Sequence, residues 1–168
     1  MILMHLYNFE VIKNIFKMSI SKHETILLYN PYLSEYIEVD KEISKLINLL
    51  WKLDIVTLNS CQEIRTGIMW IQFPFYYGEV FIHILCSELN HHEPLLKRIL
   101  RESPDNAWEY NLSIRDHSAM DYNDKKSTFN KKPAVSFNLS VFFPKEDYSV
   151  VLKYFSNLSD KNSSIKEI

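Results

Sequence analysis

The chain has 168 residues and a mass of 20.0 kDa, with 46% hydrophobic and 24% charged residues. This composition excludes collagen-like, low-complexity and fully disordered proteins, and the length fits one compact domain. The 19 basic and 21 acidic residues give a net charge of -2, so no overall charge attracts nucleic acid or anionic membranes.

The two cysteines, Cys61 and Cys86, are too few for the disulfide framework of a small secreted domain. We therefore expect an intracellular, reducing compartment. The abundance of Asn, Ile, Lys and Tyr suits an AT-rich genome and is compatible with a viral source. For a viral protein, that compartment would be the host cytoplasm or the virion.

Residues 1–30 are predicted to be an N-terminal extension. Its apolar residues recur at near-helical spacing and indicate a short amphipathic helix: Ile2, Leu6, Phe9 and Phe16. Interrupting polar residues and the lack of a cleavage site argue against a signal peptide or a membrane span. Translation beginning at Met18 instead of Met1 is an alternative.

The first firm element after the extension is a helix, for which Asp40 is the expected N-cap. Its apolar stripe recurs at spacings of three and four: Ile43, Leu46, Ile47, Leu50 and Trp51. The β-branched stretch Ile55–Ser60 and the segment Ile68–Phe73 predict two strands. The polar loop Cys61–Gly67 between them is too short for a parallel crossover, so we expect an antiparallel hairpin.

Pro74 ends the second strand, and a helix with one apolar side follows, marked by Val80, Phe81, Ile84, Leu85 and Leu89. Two further strands, Trp108–Ile114 and Val135–Phe143, alternate apolar and polar residues and are expected to pair antiparallel. Their apolar set is predicted to be buried: Trp108, Tyr110, Leu112, Val135, Phe137 and Leu139. Their polar set is predicted to form an open face: Glu109, Asn111, Ser113, Arg115, Ser136, Asn138 and Ser140.

Pro144 starts the last helix, with Val150, Val151, Tyr154, Phe155 and Leu158 on its apolar side. Placing Phe73-Pro74 on Phe143-Pro144, an offset of 70 residues, aligns two β-β-α units and suggests an internal duplication. The sequence thus predicts an α+β fold, αββαββα, with a mostly antiparallel four-stranded sheet and helices on one face. Residues 31–158 are predicted to form this single domain, and residues 159–168 a frayed tail.

Between the last two strands lies a long polar loop, Asp116–Lys132. Such a loop is usually functional or mobile. It carries four candidate phosphate-binding side chains: Lys125, Lys126, Lys131 and Lys132. Nearby aspartates offset the positive charge of these lysines, so nucleic-acid binding through this loop is the third hypothesis.

The densest polar constellation surrounds the first predicted hairpin: Ser60, Cys61, Gln62, Glu63, Arg65, Gly67 and Trp70. The pattern Ser-Cys-Gln-Glu-x3-Gly-x2-Trp-Ile-x-Phe resembles a motif in uncharacterised small proteins of bacteria and large DNA viruses. The resemblance covers a quarter to a third of the chain and implies no activity.

Cys61, Glu63 and Arg65 are the candidate catalytic residues, because a nearby cation lowers a thiol pKa and only the thiolate attacks. The competing interpretation is that Cys61 packs while Glu63 and Arg65 bridge the loop. A functional Cys61 would be partly exposed and close to Arg65 or a histidine. Gln62, Trp70 and the loop lysines are the candidate binding residues.

Metal ligation is not predicted from the spacing of donors. His91-His92-Glu93, with Cys86 and Cys61, lacks paired zinc-ligand spacing and suits a solvated helix end. With two glycines, Gly67 and Gly78, the chain has no phosphate-binding loop, and we expect no cofactor.

These observations predict a non-catalytic protein-interaction or regulatory module that binds a protein partner or self-associates as a homodimer. The alternative is a small thiol-dependent enzyme or redox protein centred on Cys61. The polar open face or a sheet edge is the expected partner surface.

Overall fold

The computed structural model describes residues 23–88, 92–116 and 135–165. Their strands are β1 Thr25–Asn30, β2 Glu35–Asp40, β3 Asn59–Arg65, β4 Ile68–Pro74, β5 Glu109–Asp116 and β6 Val135–Pro144. Their helices are α1 Ser44–Lys52, α2 Phe75–Glu88, α3 Glu93–Ile99 and α4 Tyr148–Ile165, with a 3₁₀ turn at Lys145–Asp147. The predicted α+β class is confirmed, and the sequence missed the β1–β2 hairpin and the short helix α3.

Four strands form an antiparallel sheet in the order β3-β4-β6-β5, and β1 and β2 form a separate antiparallel pair. In the central β4–β6 pairing, Ile71 lies opposite Val141, which is its equivalent under the offset of 70 residues. Exchanging the two β-β-α units therefore maps the strand order onto itself. This pseudo-twofold arrangement supports the duplication inferred from the sequence.

The helices pack on one face of the sheet. Aromatic rings fill the interface, and the Phe81 ring lies 5.0 Å from Phe73 and 5.2 Å from Phe155 between centroids. Helix α2 can approach the sheet closely because Gly78 has no side chain. A Cβ added at Gly78 would lie 2.8 Å from the Leu139 side chain, which is too close. The core therefore lies between this face and the helices.

The predicted burial along β5 and β6 is correct at one end and wrong at the other. Trp108 is fully buried and Leu139 is half-buried, but Leu112 is 58% exposed and Phe137 is 47% exposed. Gly78 places α2 over Leu139, and the apolar side chains further along the hairpin lie outside the cover of the described helices. The alternation of residue types showed which side chains share a face of the sheet, but it did not show whether a helix covers them.

The open polar face also differs from the prediction. Asn138 and Ser140, on the central strand β6, are each only 7% exposed. Asn111 and Ser113 on β5 are exposed as expected. Edge and central positions on one face therefore differ in accessibility.

The first strand of the β3–β4 hairpin begins later than predicted. Ile55–Thr57 instead pack against the end of α1: the Ile55 amide donates to the Leu50 carbonyl at 2.8 Å, and the Trp51 indole donates to the Thr57 hydroxyl at 2.9 Å. The strand then includes Cys61, which was predicted to lie in a loop. The turn reduces to Thr66-Gly67, and a φ of 72° at Gly67 explains the glycine.

Two predicted helix-terminal roles are wrong. Helix α1 has Ile43 at its N-cap position with no side-chain cap, whereas Asp40 ends β2 and bonds elsewhere. His92 begins a helix rather than ending one, because its ring accepts a hydrogen bond from the Leu95 amide at 3.4 Å and Pro94 fits the first turn.

The ends of the predicted domain also differ in detail. Strand β1 begins at Thr25, inside the predicted extension. Helix α4 continues to Ile165, beyond Leu158, at which the predicted domain ended. The amphipathic helix predicted for the first residues lies outside the described residues.

A buried ion pair joins α3 to the 3₁₀ turn that precedes α4. Asp147, only 1% exposed, accepts bidentate hydrogen bonds from the Arg98 guanidinium. The same carboxylate accepts the Trp108 indole N–H at 2.9 Å. Since the Trp108 amide also donates to the Arg98 carbonyl at 3.0 Å, this network fixes α3 against the beginning of β5.

Replacing Arg98 should destabilise the fold strongly. Arg98→Met leaves Asp147 buried without its cation, which should lower the free energy of unfolding by about 3 to 5 kcal/mol. Urea denaturation followed by tryptophan fluorescence measures the change. The control Lys97→Met removes only an exposed pair with Glu93 on the same helix and should hardly move the midpoint. Equal effects of the two substitutions would contradict this role for the network.

Candidate functional site

The buried side chain of Gln62 joins the β1–β2 hairpin to β3. The backbone N–H of Gln62 donates to the Asp40 carboxylate at 3.0 Å, and its side-chain oxygen accepts the Glu42 amide N–H at 2.7 Å. Its amide nitrogen lies 3.2 Å from Nδ1 of His23. Because the amide oxygen already accepts from Glu42, the nitrogen is oriented to donate to the imidazole. Gln62 therefore fixes the positions of Asp40 and His23 relative to β3.

This arrangement brings together three different donor groups. One nitrogen of His23, one carboxylate oxygen of Asp40 and Sγ of Cys61 all lie within 4.8 Å of one another. The three side chains are half-buried. They come from the chain before β1, the end of β2 and the beginning of β3, and we call them the His-Asp-Cys cluster.

The environment of Cys61 holds its thiol in the protonated form. Burial is the largest influence and raises the thiol pKa, and the hydrogen bond and negative charge of Asp40 raise it further. The Glu63 backbone acts in the opposite direction. A thiolate nucleophile needs a lowered pKa, so these surroundings work against the catalytic role considered for Cys61.

The side chains of the other two candidate catalytic residues bond to groups other than the Cys61 thiol. Arg65 forms an ion pair with Glu109 across the sheet. Glu63 accepts the Gly67 amide N–H at 3.0 Å and closes the hairpin turn. Both side chains therefore form contacts within the sheet. Arg65, the cation expected beside the thiol, pairs with Glu109 instead.

Trp70 lies opposite Cys61 in the β3–β4 pairing, and its ring stacks on Phe142 at 6.2 Å. Its indole nitrogen is buried and has no hydrogen-bond partner among the residues that the structure describes. Lys125, Lys126, Lys131 and Lys132 lie outside those residues, and their proposed contacts with phosphate stay a prediction.

An apolar surface covers the helix side of the β5–β6 hairpin at the opposite edge of the sheet. Leu112, Ile114 and Phe137 are 58%, 68% and 47% exposed, and Ile114 pairs directly with Phe137. They continue into a cleft of about 460 Å³ lined by Phe75, Glu79, Ile82, His83, Cys86, Ile99, Tyr110 and Leu139. We call these three exposed side chains and the cleft the β5 apolar surface.

Sequence reasoning found Cys61 but missed both its neighbours and this surface. The histidine closest in sequence, His83, lies in the cleft, whereas His23 reaches the thiol through the hairpin. Asp40 was assigned to a helix cap because capping and strand-end positions favour the same residue type. Spacing along the sequence cannot reveal metal-ligand donors that only a tertiary contact brings together.

The chain is similar to an uncharacterised protein of Acanthamoeba polyphaga mimivirus. The two are 29% identical over 147 residues, which cover 83% of this chain and 73% of that protein. This similarity agrees with the part of the expected grouping that comes from large DNA viruses. No family model matches the chain, and no solved structure matches it. Among the described residues, no helix is long and apolar enough to cross a membrane.

Removing the charge of Asp40 should make Cys61 more reactive. Asp40→Asn abolishes the nearby negative charge that raises the Cys61 pKa, so more thiolate forms at a given pH and alkylation should accelerate several-fold. Peptide-resolved iodoacetamide labelling measures the rate. Cys86 is an internal control, since burial alone raises its pKa. An unchanged Cys61 rate in Asp40→Asn would contradict this electrostatic effect.

Proposed function

We propose that the protein is a non-catalytic interaction module that self-associates through the edge of β5 and the β5 apolar surface. The observation that carries the proposal is the exposure of Leu112, Ile114 and Phe137 in one row beside an apolar cleft. Exposed apolar patches of this kind mark protein–protein interfaces.

The edge of the sheet supports a β-strand partner. β5 has eight residues and ends the order β3-β4-β6-β5, and no described strand pairs with its outer side. The opposite edge differs, because the β1–β2 hairpin contacts β3 there. An uncovered strand edge offers unpaired backbone groups to another strand.

A second copy of the chain fits this edge by its apolar side chains. If two β5 strands pair antiparallel about Leu112, Ile114 lies opposite the partner's Tyr110, and the same pair recurs across the twofold axis. The two Leu112 side chains then meet at the axis. Apolar side chains therefore match in one register.

The thiol-enzyme alternative has weaker support. A cysteine nucleophile needs a base or cation that favours the thiolate. His23 lies within 4.8 Å of the half-buried thiol and meets the condition of a nearby histidine, but burial and the Asp40 carboxylate raise the pKa of the Cys61 thiol. Arg65, the expected cation, pairs with Glu109. Nucleic-acid binding rests on the lysines of the 116–132 loop, and the net charge of -2 gives it no general support.

Introducing a charge on the β5 apolar surface should dissociate the dimer. Ile114→Lys removes a burial worth about 1.5 kcal/mol or more in each copy, or about 3 kcal/mol for the pair, so the dimer dissociation constant should rise at least about 100-fold. Ile114 is already 68% exposed, so the monomer should still fold. Analytical ultracentrifugation measures the change from twice 20.0 kDa to 20.0 kDa.

Leu27→Lys is the matched control. Leu27 is a 65% exposed apolar residue on β1, outside the proposed interface, so this variant should dimerise like the parent chain. The register has its own test: in a background lacking Cys61 and Cys86, Leu112→Cys should form a disulfide between the two copies more readily than Asn111→Cys does. A parent chain that stays monomeric at high concentration, or a dimer that only Leu27→Lys disrupts, would refute the proposal.

A further inference from the structure

We infer that the His-Asp-Cys cluster binds a divalent transition-metal ion of the Zn²⁺ class and thereby fastens the β1–β2 hairpin to the sheet. This site lies at the β3 edge and is independent of the proposed self-association through β5. The nitrogen, oxygen and sulfur donors of His23, Asp40 and Cys61 all lie within 4.8 Å of one another.

The chemistry of the donors favours zinc-like ions over calcium or magnesium. Calcium and magnesium prefer oxygen ligands, whereas Zn²⁺ accepts imidazole nitrogen, carboxylate oxygen and thiolate sulfur in one tetrahedral shell. Three protein ligands leave a fourth position for water. In a tetrahedral shell with metal–ligand bonds of about 2.0 to 2.3 Å, donors lie roughly 3.3 to 3.8 Å apart, so small side-chain movements bring the cluster into place.

A hydrogen bond holds Asp40 in position, because its carboxylate accepts the Gln62 backbone N–H at 3.0 Å. Gln62 itself is only 9% exposed and is anchored by the Glu42 amide. Carboxylate ligands of metals are characteristically hydrogen-bonded in this way. The contact to His23 differs, because the Gln62 amide N–H lies 3.2 Å from Nδ1 and must leave this nitrogen before Nδ1 can bind the ion.

Metal binding releases the thiol proton of Cys61 to solvent. A metal–sulfur bond forms while the hydrogen bond from the thiol to Asp40 breaks. A metal–nitrogen bond forms at Nδ1 of His23 while the hydrogen bond from the Gln62 amide to that nitrogen breaks, and the freed Gln62 N–H bonds to water. The attraction of a divalent cation for the thiolate outweighs an environment that otherwise protonates it. No electron is transferred. The bound ion would then link the chain before β1, the end of β2 and β3.

The test uses the full chain and the metal alone. Titration with Co²⁺ should give one ion per chain and a sulfur-to-cobalt charge-transfer band in the near ultraviolet. Zn²⁺ should displace the Co²⁺, protect Cys61 from alkylation and raise the melting temperature. Cys61→Ser should abolish the band and weaken binding at least tenfold, and Asp40→Asn should weaken binding with the band retained.

Matched controls separate this site from other donors. Cys86→Ser and His83→Gln remove a half-buried thiol and an exposed imidazole in the cleft, and both variants should bind like the parent chain. Circular dichroism of each variant checks that it is folded. The inference fails if the parent chain binds neither ion, if folded Cys61→Ser binds as tightly as the parent, or if Cys86→Ser loses the band.

Discussion

The antiparallel pairing of β4 with β6 is the constraint on which the rest of the structure depends. Ile71 lies opposite Val141, so the two β-β-α units meet at the centre of the sheet and send their helices to one face. This arrangement leaves the first strand of each unit, β3 and β5, at opposite edges. Different residues surround the two edges, and we propose a different role for each.

At the β3 edge, a buried glutamine joins the β1–β2 hairpin to the sheet. Gln62 bonds the end of β2 and approaches His23, and this contact gathers the His-Asp-Cys cluster. At the β5 edge, apolar side chains lie exposed on the helix side of the sheet. The polar edge is therefore suited to bind an ion, and the apolar edge is suited to bind another strand.

The sequence predicted the sheet better than the sites on it. Alternating residues and the prolines that end β4 and β6 were enough to predict the strand pairs, because those signals are local. The exposure of Leu112 and Phe137 was not predictable, since alternation shows which residues share a face and says nothing about how far a helix covers it. The approach of His23 to Cys61 was equally hidden, because it depends on a hairpin that docks through a tertiary contact.

The central claim is that β5 is an interface between two copies of the chain, and hydrogen exchange of its backbone amides tests this most directly. We predict that protection of the amides of 109–116 rises with protein concentration, while amides of β1 exchange at a constant rate and those of β6 stay protected. This pattern would follow from a strand that gains a partner only in the dimer. Exchange of the β5 amides that is the same at every concentration would contradict the account.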